Sequence, residues 1–91
     1  MLLRVQIDLS DADVALFDQY EEGVLALLPD YGANLIERIR SIDGRTETHL
    51  LEFPDADALA RFRADPRRAG LQDLWVRCGA SAVATEVQRP T

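Results

Sequence analysis

His49 is the only histidine in a chain of 91 residues. It stands in the run Thr48-His49-Leu50-Leu51-Glu52-Phe53, which reads as a strand that stops at Pro54. An imidazole can take or give a proton near neutral pH, so what faces His49 decides its chemistry. The dipeptide Asp43-Gly44 between two strand-like runs predicts a two-residue hairpin turn, because both central residues must tolerate positive φ. Strands of about 34–42 and 45–53 follow. Counting outward from Ile42 opposite Arg45, Arg40 faces Glu47, Arg38 faces His49 and Ile36 faces Leu51 on one side. Ile39 faces Thr48, Glu37 faces Leu50 and Leu35 faces Glu52 on the other. In this register Arg38 can hold an anionic or enolate oxygen beside a His49 acid/base. Asp8, at the end of the first strand, is the third candidate catalytic group. Arg4, Arg40, Tyr20 and Trp75 are the candidate ligand-binding residues.

Each of these residues also has a plainer role. His49 and Arg38 can be a polar cross-strand pair at an interface, and Arg40 with Glu47 an opposite-charge pair worth a few tenths of a kcal/mol. Asp8 can introduce the following helix. Tyr20, Tyr31 and Trp75 sit at apolar helical spacing, where core packing is the ordinary role. Glu21-Glu22 reads as a solvated helix face. Cys78 has no partner for a disulfide or a metal cluster, and reads as small core filler. One histidine and no tight carboxylate cluster leave no basis for a bound metal, and no cofactor is expected.

The elements that must position these groups follow in order. Leu3, Val5, Ile7 and Leu9 alternate with polar residues as a half-buried strand. Ser10, Asp11 and Asp13 supply caps for a helix whose stripe runs Val14, Phe17, Val24, Leu28, and which ends around Leu28 before Pro29 and Gly32. The hairpin comes next. Asp55 caps a helix carrying Leu59 and Phe62, and Asp65-Pro66 starts a second helical piece with Leu71, Leu74, Trp75 and Cys78 inward. Gly79 ends it, and Ser81 to Val87 alternates as a last strand. The order β-α-β-β-α-β predicts a ferredoxin-like α+β fold, a four-stranded antiparallel sheet with helices on one face, in one domain spanning 1–91.

Composition narrows the function classes. The net charge is −6, and all ten basic residues are arginine. An acidic chain is poorly suited to unspecific binding of nucleic acid or anionic membranes. No apolar run approaches the roughly 20 residues that span a bilayer, and the N-terminus lacks signal-peptide features, so a cytoplasmic location is expected. There is no Cys-x-x-Cys, no Gly-rich phosphate loop and no aromatic platform for RNA. Both hairpin faces carry apolar residues, which predicts a homodimer packed sheet against sheet.

Three junctions carry a family resemblance: Tyr31-Gly32-Ala33-Asn34-Leu35 entering the second strand, Leu50-Leu51-Glu52-Phe53-Pro54-Asp55 leaving the third, and Asp65-Pro66. With them the chain resembles the dimeric α+β barrel superfamily, and within it small bacterial domains of unknown function. The resemblance implies a homodimer and covers nearly the whole chain. Branches of that superfamily include cofactor-independent monooxygenases, heme-degrading oxygenases, polyketide cyclases, muconolactone-isomerase-like enzymes and stress-responsive proteins. The heme-degrading set of an Asn, a Trp and a helix-borne His is not met. Asn34 and Trp75 are present, but His49 reads as a strand residue. The expected function is small-molecule binding, with proton transfer or cofactor-free oxygenation at His49. The competing expectation is a non-catalytic dimeric interaction or stress-related module. An enclosed cavity with His49 pointing into it favours the first; with a cavity filled by side chains, or His49 beneath the helices, the catalytic hypothesis is lost.

Overall fold

The computed structural model describes residues 1–91. Strand β1 (Leu2–Asp8) leads through a loop to helix α1 (Val14–Leu25). Asp13 caps α1 by accepting a hydrogen bond from the Leu16 N–H (3.2 Å). The α-helix ends at Leu25, earlier than expected, and the chain continues as a 3₁₀ turn over Leu28–Tyr31. Pro29 has no N–H to give to the Leu25 carbonyl, so the α ladder cannot be extended through it. Gly32, at φ 65°, turns the chain into β2 (Asn34–Arg40).

The hairpin joins β2 to β3 (Thr46–Glu52) in the expected register near the turn, with Arg40 opposite Glu47, Arg38 opposite His49 and Ile39 opposite Thr48. Two details depart from expectation. The rung between Ile42 and Arg45 does not form. The turn instead closes by the Gly44 N–H donating to the Ser41 carbonyl (2.9 Å), with Gly44 at φ 75°. Asp43 accepts hydrogen bonds from the Ser41 hydroxyl and the Arg45 N–H, which satisfies that end of the ladder with a side chain. Further out, a bulge between Leu35 and Glu37 pairs Leu35 with Leu51 and Asn34 with Glu52, where Ile36 and Leu35 were expected. One extra residue in a strand shifts every pairing beyond it.

Helix α2 (Ala56–Arg63) is capped by Asp55, whose carboxylate accepts from the Ala58 N–H (2.8 Å). Asp65 caps the short α3 (Pro66–Ala69), and α4 (Gln72–Cys78) follows. Gly79 at φ 77° then leads into β4 (Ser81–Val87). The four strands lie in the order β2-β3-β1-β4, all antiparallel. This is the expected ferredoxin-like arrangement. No helix is long and apolar enough to cross a membrane.

The register sorts the side chains between two faces. Toward the helices, one row runs Arg38, His49, Val5, Ala84 and the next Arg40, Glu47, Ile7, Ala82. Away from them lie Arg4, Gln6, Asp8, Thr48, Leu50, Ile39 and Val83. The core between sheet and helices centres on Leu3, Val24, Leu51, Phe53, Leu59 and Phe62, with Ile7, Leu9, Phe17 and Cys78 as a smaller cluster toward the far end.

Candidate functional site

The helix-facing side of the sheet is not completely filled. A cavity of about 300 Å³ remains between it and the helices. Its floor includes Leu3, Val5, Ile7 and Leu51, and its helical walls include Tyr20, Glu21 and Val24 of α1, Leu59 and Phe62 of α2, and Trp75 of α4. Exposed Arg63, Gln72, Ala82 and Ala84 mark its mouth. The small side chains of β4 leave this opening, because no helix covers that strand. The lining is mainly apolar with few polar groups, as in small-molecule sites generally.

Glu21 is the chemically distinctive group in this wall. It was expected to be solvated, but it is 6% exposed. The α1 stripe explains the difference: Val14, Phe17, Val24 and Leu28 leave one helical step empty, and position 21 fills it. Burial raises the Glu21 pKa to about 7, and the Glu47 charge adds to that, while Arg38 and Arg68 oppose it. The one basic side-chain nitrogen within 4 Å, His49 Nδ1, stands 3.9 Å away, too far for a hydrogen bond. A carboxyl that exchanges its proton near neutrality, facing a cavity, is equipped for acid/base work.

His49 lies directly behind Glu21, beneath the helices, and it too borders the cavity. Its Nε2 is 2.6 Å from Glu47 Oε2. Burial lowers the His49 pKa, against the pull of Glu47, so the ring is held neutral. Burial works to raise the Glu47 pKa, but hydrogen bonds from His49, Arg40 and Arg38 outweigh it and keep the group ionised. An ionised carboxylate only accepts hydrogen bonds, which assigns the imidazole proton to Nε2 and leaves the Nδ1 lone pair toward Glu21. Behind Glu47, Arg38 Nε (2.9 Å) and Arg40 Nε (2.7 Å) grip its two oxygens, and both guanidinium groups reach Asp18. The whole forms a chain from the surface at Asp18 to the cavity at Glu21.

This arrangement corrects several expectations. Arg38 is opposite His49 as predicted, yet Glu47 and Asp18 occupy it and it does not line the cavity. Arg40 forms the expected pair with Glu47 and also reaches Asp18, and it does not line the cavity. Asp8 and Arg4 lie on the opposite sheet face from His49, since β1 sends only Leu3, Val5 and Ile7 toward the helices. Asp8 accepts from the Ser10 N–H (2.9 Å), as an approach to α1 would. Tyr20 and Trp75 do line the cavity, their rings 5.0 Å apart. His49 borders the cavity from beneath the helices, with its Nε2 engaged by Glu47. No three His, Cys, Asp or Glu side chains are grouped so as to hold a metal ion.

Comparison with known proteins bears on the fold. No family model matches the chain, and no curated protein does. Solved structures do. SnoaB, a cofactor-independent oxygenase from Streptomyces nogalater, is similar over 98% of this chain and 94% of its own, at 14% identity and a TM-score of 0.71. A candidate antibiotic biosynthesis monooxygenase from Nitrosomonas europaea is similar over 98% of this chain and all of its own, at 9% identity and a TM-score of 0.71. A dimeric ferredoxin-like protein of unknown function from Jannaschia sp. CCS1 covers 96% of this chain at 20% identity and a TM-score of 0.61. At these identities the likeness establishes the fold, a ferredoxin-like α+β arrangement, and nothing finer.

Proposed function

We propose that this protein binds a small organic molecule in the cavity between sheet and helices and moves a proton on it without a bound cofactor. Glu21 is the acid/base. His49 and Glu47 set its environment, and Tyr20 and Trp75 pack against the apolar body of the ligand. The observation that carries this reading is a carboxyl with a pKa of about 7, without a hydrogen bond from His49, in the wall of a cavity of about 300 Å³. That volume is at the small end for ligand sites, which run from about 300 to 1,000 Å³.

As carboxylate, Glu21 takes a proton from a carbon beside a carbonyl, and the pair of electrons left behind delocalises as an enolate. Returning the proton to another carbon completes an isomerisation. Reaction of the enolate with dioxygen is the second reading, favoured by the likeness to a cofactor-independent oxygenase. The expected location is the cytoplasm, and the expected assembly is a homodimer.

Solvent-deuterium exchange into β-tetralone, a neutral bicyclic ketone with an activated C–H bond, tests the proton step. The wild-type protein should accelerate exchange over buffer, with a rate that rises as pH passes through about 7. Glu21→Gln should lower the protein-dependent rate at least tenfold. Equal rates in wild type and variant would count against an acid/base role and in favour of a non-catalytic module.

A further inference from the structure

The arginines divide into two groups by what they touch. Arg38, Arg40, Arg61, Arg67 and Arg77 each hold a carboxylate in an ion pair. Arg4, Arg45, Arg63, Arg68 and Arg89 hold none, and of these only Arg63 and Arg68 line the cavity. The protein carries a net charge of −6, so two cations without acidic partners at one opening make a local exception.

Arg68 is also held in place. Its guanidinium lies over the Phe62 ring, 4.8 Å from the centroid, and Nη2 donates to the Tyr20 hydroxyl (3.3 Å). Stacking on an aromatic face and half-burial reduce the entropy lost when a guanidinium grips a ligand. Most of its N–H groups remain free, in a planar fork that matches a carboxylate. Phe62 and Tyr20 themselves line the cavity, so the fork sits where the apolar lining meets the opening.

We propose that the ligand is an amphipathic monoanion, with an apolar aryl-sized body in the cavity and one carboxylate held at its mouth by Arg68 with help from Arg63. This rests on the reading of the cavity as a ligand site, and it specifies which molecules enter. A second anionic group is disfavoured, because the inner wall presents Glu21 with Glu47 behind it. A neutral molecule of the same shape leaves the guanidinium groups unmatched. The bound anion also speaks to Glu21. Arg68 is one of the charges that favour the ionised form of Glu21, so neutralising it shifts Glu21 toward the protonated form. Near pH 7, entry of the anion is therefore accompanied by proton uptake.

Calorimetric titration with β-naphthoate and its neutral amide, in two buffers of different ionisation enthalpy at about pH 7, tests this. The acid should bind at least tenfold tighter than the amide and take up a fraction of a proton. Arg68→Gln should remove most of that preference, and Arg63→Gln a smaller part. Glu21→Gln should keep the preference and lose the proton uptake. Equal affinity for acid and amide, no saturable binding of either, or a preference surviving the double arginine variant would overturn the proposal. So would tight binding without proton uptake, which would put the anion in the outer groove between Arg63, Asp65 and Arg68. Failure of the proton-transfer reading looks different: β-naphthoate binds as described while β-tetralone exchange stays at the buffer rate.

Discussion

Glu21 carries an unfavourable charge in a useful place. Unfolded, it ionises near its ordinary value of 4.5; folded, near 7. Between those values the folded chain holds a proton that the unfolded chain has released, so this group's contribution to stability falls as pH rises. His49 works the other way, since its folded pKa is lowered and its contribution is lost as pH falls through the ordinary imidazole range. Comparing wild type with Glu21→Gln isolates the first effect. Urea unfolding should show little difference near pH 4 and a gain for the variant approaching 2–3 kcal/mol, to order of magnitude, at about pH 8. A variant less stable than wild type at both pH values would show that the carboxyl is better satisfied than the cavity geometry implies. Glu47, by contrast, is fully engaged by His49, Arg38 and Arg40, and its burial is stabilised by those three partners.

At the scale of elements, the junctions were legible because each rests on one or two residues with a local mechanism. Asp13 and Asp55 cap the helices they were expected to cap, and Asp65 caps the first turn of the expected second piece, which breaks at Gly70 so that Gln72–Cys78 forms a separate helix. The hairpin register held near the turn because Asp43 and Gly44 fix it locally. It failed beyond Ile36 because a bulge depends on packing across the sheet, which no short motif records. Glu21 was misread for a related reason: its neighbour Glu22 made a polar pair, while the helical step from Phe17 to Val24 pointed to burial. The Arg40–Glu47 pair was legible from the hairpin register, whereas the reach of both arginines to Asp18 needed the docking of α1 over β2, a contact between residues far apart in the chain. Gly44 offers a direct check on the turn. At φ 75°, with no atom within 4 Å of an added Cβ, Gly44→Ala meets only backbone strain. It should lower stability by about 1 kcal/mol, read as a lower urea midpoint with an unchanged slope. An unchanged midpoint would mean that the loop relaxes freely and does not hold the register.

For the whole molecule, the outer sheet face is the unfinished surface. Ile39 is 51% exposed and Val83 65% exposed, in one row with Thr48 and Gln6. A pairing of two such faces would cover these residues and leave both cavities open on their helical sides. Native mass spectrometry at micromolar concentration should therefore find a dimer, and Ile39→Asp should shift it to monomer without unfolding it. A wild-type monomer would refute the sheet-on-sheet assembly, though the cavity of each chain would be unaffected. The assembly and the chemistry are thus separate claims, and the chemistry rests on Glu21. Its most direct test is a carbon-13 NMR titration of the six glutamate side-chain carboxyls, assigned by the resonance that disappears in Glu21→Gln. This resonance should titrate near 7. Titration of every glutamate below about 5, the ordinary range for exposed carboxyls, would contradict it.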